Sequence, residues 1–121
     1  MSGAEQLQDW TRGEPSILYQ HCAACDHVQY FRKAFCDACG APEPAVKQAS
    51  GRGRVHATSL VLRAATPETR AHVPYNIVLI DADEGFRMMA HGDRDLVIGD
   101  VVQVRFERFT DRIVPYFSKV E

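Results

Sequence analysis

Hydrophobic and polar positions alternate most clearly toward the end of the chain. Over residues 101–109, Val102, Val104 and Phe106 fall on one side and Gln103, Arg105 and Glu107 on the other, the period-two pattern of a half-buried strand. Residues 55–62 are rich in β-branched and apolar residues and follow glycines at 51 and 53. Residues 75–81 (YNIVLID) and 86–90 flank Asp83-Glu84-Gly85, whose glycine suits a positive φ, so 75–90 predict a hairpin. A last strand is predicted at 113–117, after a turn at Asp111. Residues 64–73 read as a loop, and 93–98 as a loop or short helical turn. Five strands with no long helix between them predict a small barrel. A five-stranded OB-fold matches best, with Gly99-Asp100 and the early glycines at places where strands must bend. An SH3-like barrel is the alternative.

The first 50 residues follow no such period. Residues 4–12 predict a short helix with Leu7 and Trp10 on one face, stopped by Gly13 and Pro15. Trp10 is the sole tryptophan, and a short helix cannot bury it alone. It must pack on the rest of the first half, on the barrel, or on another chain. Residues 17–19 and 28–31 read as short extended pieces. Residues 41–50 (APEPAVKQAS) have two prolines and no clear period, and read as a connector.

Between those pieces lies CAACDHVQYFRKAFCDAC, holding two Cys-x-x-Cys pairs, Cys22/Cys25 and Cys36/Cys39, the only four cysteines in the chain. Each pair can form a knuckle that aims two thiolates at one point, and two facing knuckles make the tetrahedral four-sulfur site that zinc takes in structural positions. The fold class expected is therefore mainly β: a short N-terminal helix and a four-cysteine zinc ribbon, then a five-stranded OB-fold barrel. The divisions expected are residues 1–20, 21–50 and 51–121. Iron would be held by the same four ligands. Four thiolates leave no open position for water or substrate, so a structural role is expected. Thiolates committed to a metal are not nucleophiles. His21 and His27 flank the first knuckle as neighbours rather than ligands.

Charge and composition narrow the function. The formal net charge is -2, and neither half is basic: residues 1–50 carry four Lys/Arg against six Asp/Glu, and 51–121 carry ten against ten. This speaks against a nucleic-acid binder. No apolar run approaches the roughly 20 residues that span a bilayer, and the polar start lacks a signal peptide's apolar core. A cytoplasmic location is expected, where paired cysteines read as a metal site. There is no G-x-S-x-G and no P-loop. Gly51-Arg52-Gly53-Arg54 sets two arginines beside flexible backbone, either as a phosphate or carboxylate contact or as a solvated start of a strand. Asp81, Asp83 and Glu84 cluster as a solvated turn. Alternation puts Phe86 and Met88 on one face and Met89 on the other, so one set is expected in the core and the other exposed.

Taken together, these stretches resemble the zinc-ribbon/OB-fold family of acyl-CoA-associated proteins, with a rubredoxin-like ribbon first. The resemblance runs from Trp10 to Phe117. It is carried by Trp10-Thr11-Arg12-Gly13-Glu14, Leu18-Tyr19-Gln20-His21-Cys22, Cys36-Asp37-Ala38-Cys39-Gly40 and Ser50-Gly51-Arg52-Gly53-Arg54-Val55. It continues through Val73-Pro74-Tyr75-Asn76-Ile77-Val78, Asp83-Glu84-Gly85-Phe86-Arg87, Ile98-Gly99-Asp100-Val101-Val102 and Val114-Pro115-Tyr116-Phe117. Asp26 stands where a glycine commonly follows the first pair, and aspartate tolerates the left-handed conformation needed there.

The resemblance implies a non-catalytic, obligate subunit of a thiolase or a thiolase-like aldolase or acyltransferase, with a degradative thiolase preferred. The partner would supply the catalytic residues. This chain would stabilise it, cover part of the active-site entrance and help hold coenzyme A or its acyl thioester. The ribbon and Trp10 would dock the partner, with Tyr75, Phe86, Met88 and Met89 as further contacts. The loop at 64–73 would approach the acyl-CoA, and Lys33, Arg52, Arg54, Arg63 and Arg70 are the candidates for its phosphates. Single-stranded nucleic-acid binding is the competing reading, and a stand-alone metalloenzyme or redox carrier a more distant one.

Overall fold

The computed structural model of the chain describes residues 8–120. The part of the expected N-terminal helix before Gln8, with Leu7, lies outside them. Its described remainder is a 3-10 turn, Trp10–Arg12, capped by the Asp9 carboxylate accepting the Thr11 N–H and ended by Gly13 at φ 89°.

Eight strands follow: β1 (Leu18–His21), β2 (Val28–Gln29), β3 (Ala45–Gln48), β4 (Arg52–Val61), β5 (Tyr75–Ala82), β6 (Arg87–Gly92), β7 (Val101–Phe109) and β8 (Arg112–Lys119). The first three form an antiparallel sheet in the order β2-β1-β3. β3 lies within the stretch expected to be a connector. It pairs with β1 from Leu18↔Gln48 to His21↔Ala45, yet only Val46 among its side chains is half-buried. An edge strand held by backbone bonds carries no apolar period, so the pattern could not reveal it.

The last five strands close into a barrel in the order β4-β5-β6-β8-β7. A parallel pairing of β6 with β8, through His91↔Tyr116 and Gly92↔Phe117, completes the OB arrangement rather than the SH3-like one. The hairpin register sets Ile80 opposite Met88 and Leu79 opposite Met89. Val55, Val78, Ile80, Phe86, Met88, Val102 and Phe117 fill the interior, with Leu96 inserted from the 93–98 segment. Gly53 is there for proximity: a Cβ would collide with the Asp81 carbonyl oxygen and the Ile80 side chain. The expected loop at 64–73 contains a 3-10 segment, Pro67–His72, with a Thr66/Thr69 capping box. No helix among the described residues is long and apolar enough to cross a membrane.

The two β units share one core. Ile17 is buried with the barrel residues, and Trp10, Tyr19, Val28 and Tyr30 pack against them. The Phe86 ring lies between two ribbon rings, stacked on Tyr19 at 5.2 Å and 24° and on Tyr30 at 5.4 Å and 11°. The Trp10 indole N–H donates to the Tyr30 hydroxyl at 3.0 Å.

Candidate functional site

Each Cys-x-x-Cys pair folds as a tight knuckle. In the first, Cys22 N–H donates to the His27 carbonyl and Asp26 N–H to the Cys22 carbonyl; in the second, Cys36 N–H donates to Ala41 and Gly40 N–H to Cys36. Asp26 at φ 64° and Gly40 at φ 80° occupy matching left-handed positions after each pair, as the departure at Asp26 required. The four Sγ atoms lie within 4.8 Å of one another, with Cys22–Cys39 at 3.6 Å and Cys25–Cys36 at 3.7 Å. A tetrahedron of thiolates with Zn–S near 2.3 Å has edges of about 3.8 Å, so the cage matches a four-sulfur metal site without rearrangement. Cys22 and Cys36 are buried and Cys25 and Cys39 exposed.

Without a cation the four sulfurs must share protons. Burial pushes the Cys36 thiol up, but the Cys39 and Ala38 backbone N–H groups and the neighbouring Cys25 and Cys22 outweigh it, and its pKa falls to about 6. For Cys25 the His27 backbone N–H lowers the pKa, but burial and the three other thiols drive it up to about 12. One thiolate forms readily and its neighbour then resists. A divalent cation removes that conflict by replacing the protons.

Two buried glutamines, which the sequence pattern did not single out, brace the cage. Gln29 donates to Gln20 Oε1 at 2.8 Å and to the Phe35 carbonyl at 3.2 Å, and its own Oε1 accepts the Asp37 N–H at 3.0 Å. Gln20 accepts the Lys33 N–H and donates to the Lys33 carbonyl. The 32–37 return loop therefore hangs on β1 and β2 by side chains. Buried polar residues on otherwise weakly patterned strands were the signal available. His21 pairs with Asp26 at 3.2 Å and is no part of the cysteine cluster.

Lys33 reaches Asp37 at 2.7 Å within the ribbon. Arg52 and Arg54 point outward from one side of β4, and Arg54 donates to the Gly99 carbonyl at 3.3 Å. Arg63 and Arg70 are exposed in the segment between β4 and β5. The structure thus brings Arg52 and Arg54 together on β4, and Arg63 and Arg70 into one segment, while Lys33 belongs to the ribbon.

The expected partner contacts divide. Phe86 and Met88 are 6% and 3% exposed. They are core side chains and offer no surface to another chain, because the Phe86 ring meets this chain's own ribbon. Met89 is 63% exposed. Tyr75 is half-buried, stacked on His91 at 5.2 Å. Trp10 is half-buried at the rim of a groove of about 660 Å³ lined also by Arg12, Tyr19, Tyr30, Phe31 and Arg32. Phe31, 75% exposed there, is a large apolar side chain that the sequence reading placed only as the end of a strand.

Two family models match in tandem: the rubredoxin-like zinc ribbon domain of ChsH2 over residues 10–45, and the C-terminal OB-fold domain of ChsH2 over residues 46–107. Among curated proteins none matches the chain. A solved structure described as an Ltp2-ChsH2 (DUF35) aldolase superposes with a TM-score of 0.72 at 22% identity, covering 86% of this chain and 84% of that one. A protein of unknown function from the DUF35 family of Sulfolobus solfataricus gives a TM-score of 0.59 at 11% identity, covering 87% of this chain and 76% of that one.

Proposed function

Because the chain belongs to the ChsH2 family of zinc-ribbon/OB-fold proteins, we propose that it is an auxiliary subunit of a thiolase-type acyl-CoA enzyme, with the catalytic residues on the partner. The observation that carries the reading is the groove on the ribbon face. It is a groove in which the half-buried Trp10 and Tyr30 flank the outward Phe31 ring, mounted on a part of the molecule that a cysteine cage holds together. An exposed aromatic side chain beside a partly open aromatic groove on a stiff support is what a docking surface requires. The relative described as an Ltp2-ChsH2 aldolase supports a two-chain enzyme of this kind.

In this reading the ribbon binds a structural zinc through Cys22, Cys25, Cys36 and Cys39, and zinc only holds the knuckles. Trp10 and Phe31 dock the catalytic subunit, with Tyr75 and Met89 as outlying contacts. The barrel over residues 51–121 approaches the acyl-CoA entrance, where Arg52, Arg54, Arg63 and Arg70 meet the coenzyme A phosphates. Lys33, already paired with Asp37, is the weakest of the phosphate candidates. The assembly works in the cytoplasm. A single-strand nucleic-acid role is disfavoured by the balanced charge of residues 51–121, ten basic against ten acidic.

The test is co-expression with candidate thiolase and aldolase subunits, co-purification, then assay of thiolysis and retro-aldol cleavage with and without this chain. Phe31→Ala should weaken co-purification while leaving the chain folded. If no such enzyme binds the chain or changes its activity in its presence, the reading fails.

A further inference from the structure

One side of β4 is open over its outer half. The ladder of β4 with β7 runs from Arg52↔Gln103 to Arg54↔Val101. The turn at 97–100 carries it on to Val55, which donates its N–H to the Asp100 carbonyl and accepts the Gly99 N–H at its own carbonyl. Beyond that point β4 pairs with β5 alone, as far as Val61↔Tyr75. Val55 thus turns its backbone groups away from β5. The bulge between Val55 and Ala57 shifts the phase of the strand, so after it Thr58 and Leu60 turn theirs away, with Leu62 next in line. Among the described residues no backbone group bonds to them on that side.

The side chains of this edge are uncovered as well. Thr58 lies across from Val78 and Leu60 from Asn76. Val78 and Asn76 are buried, so the face they share is an interior one, yet Thr58 is exposed and Leu60 is 47% exposed. Leu62 is 70% exposed. Val97 and Ile98, exposed too, sit on the turn tied to Val55, at the near end of the open run. Open edges are normally guarded by a charge, a proline or a bulge. Residues 57–62 (ATSLVL) carry neither charge nor proline, and the bulge lies ahead of the open run.

The run from Thr58 to Leu62 has Leu60 at its centre, and that symmetry selects the occupant. Residues opposed in antiparallel strands must agree in face and in hydrogen-bonding phase. A second copy of the same strand, turned about a twofold axis at Leu60, meets both conditions. Leu60 then faces Leu60, and Thr58 of each copy faces Leu62 of the other, all with backbone groups turned toward the axis. Arg63 falls opposite Ala57, so like charges do not meet. Leu62 of each copy reaches toward the Val97–Ile98 turn of the other. We propose that the chain pairs antiparallel with a second copy of itself through this edge, so that one sheet runs through both barrels. The edge residues do not line the ribbon groove. The proposal therefore needs no catalytic partner and stands or falls apart from the enzyme-subunit reading.

The experiment uses the full, metal-loaded chain in analytical ultracentrifugation over a range of about 1 μM to about 1 mM. A strand pair with a few aliphatic side chains is a small interface, so a monomer–dimer equilibrium with a Kd of roughly 1–100 μM is expected. Leu60→Lys, at an exposed position, sets lysine against lysine and should weaken the dimer at least about tenfold, with metal content and circular dichroism unchanged. In amide exchange on the parent, Ser59 and Val61, bonded to β5, should be protected at every concentration. Thr58, Leu60 and Leu62 should gain protection only as the dimer fills. Leu60→Cys should give a disulfide-linked dimer under mild oxidation, because directly paired Cα atoms lie about 5.5 Å apart. Leu62→Cys, which faces Thr58 rather than its own copy, should not. A chain that stays monomeric up to about 1 mM overturns the proposal. So does a dimer that Leu60→Lys leaves intact, exchange protection that grows elsewhere but not at these three amides, or equal cross-linking of the two cysteine variants.

Discussion

Replacing Phe86 by alanine tests whether ribbon and barrel form one cooperative body. Phe86 is 6% exposed and is held between Tyr19 and Tyr30 at 5.2 and 5.4 Å. Truncating a buried phenylalanine costs about 3–5 kcal/mol, and each aromatic pair accounts for roughly 0.5–1.5 kcal/mol beyond burial. A loss of about 4 kcal/mol is a large share of the 5–15 kcal/mol that holds a domain of this kind. At roughly 4 °C per kcal/mol for a chain of this size, the melting temperature should fall by about 15 °C. The loss should also be uneven, because the metal cage still supports the ribbon while the barrel keeps its own strands. Trp10, bonded to Tyr30, reports the ribbon by fluorescence, and far-UV circular dichroism reports the barrel. In the parent the two denaturant curves should coincide, and in Phe86→Ala they should separate. Phe86→Leu, which keeps most of the burial and loses the stacking, should cost about 1–2 kcal/mol. Coincident curves for Phe86→Ala within about 1 kcal/mol of the parent would falsify the shared-core argument.

Removal of metal should have a larger effect on the ribbon. The purified chain should contain one metal ion, and chelation or Cys36→Ser should abolish the slow amide exchange of β1 and β2; a ribbon that stays protected without metal would contradict a structural role. Gln29→Ala takes the acceptor from the Asp37 N–H and the side-chain donor from the Phe35 carbonyl, and leaves Gln20 Oε1 with the Lys33 N–H alone, so stability should fall by about 1–3 kcal/mol and metal should transfer to a chelator faster; unchanged transfer would remove the bracing role. His91 is held below the usual histidine range by burial and by the charge of the neighbouring His72. The unfolded chain therefore takes up this proton first, so the contribution of His91 is complete above about pH 6.5 and is lost as pH falls toward the folded value. His91→Gln should flatten the stability-versus-pH curve between about pH 7 and 5, and a slope identical to the parent's would show that the ring does not titrate differently on folding.

What the sequence revealed depended on whether a residue's role leaves a pattern along the chain. The barrel was legible because alternation on β7 and the β5–β6 hairpin follows from having one face inside. Val102 at 0% and Met88 at 3% exposure against Met89 at 63% is that period made solid. The cage was legible because thiolate spacing is dictated by the metal. β3 was not, since its order comes from backbone pairing to β1 and all its side chains but the half-buried Val46 are exposed. The interface at Phe86 was half legible. Its burial could be read from alternation, but its covering by Tyr19 and Tyr30 joins residues more than 50 positions apart. The packing of Tyr75, His91 and Phe109 against one another was invisible for the same reason: the three rings come from β5, β6 and β7, each unremarkable alone.

These connections give the cysteine cage a reach well beyond its four sulfurs. Asp37, next to Cys36, hangs by its N–H on Gln29; Gln29 bonds to Gln20 on β1; and Tyr19, adjacent on β1, stacks on Phe86. From the far end of β2, Tyr30 stacks on the same ring and takes the Trp10 hydrogen bond, with Phe31 following in sequence. Metal binding in small thiolate sites is worth about 10–16 kcal/mol, against roughly 4 kcal/mol for the Phe86 sandwich. The two ends of this chain of contacts are therefore not equivalent. Loss of Phe86 loosens the barrel from a ribbon that persists, and the Trp10–Phe31 groove survives on that ribbon. Loss of the metal dissolves β1 and β2, and with them both the groove and one wall of the shared core. A partner that reads the groove should tolerate Phe86→Ala with modestly weaker binding and should lose the chain altogether on chelation. A partner lost equally in both would have to be reading the barrel instead.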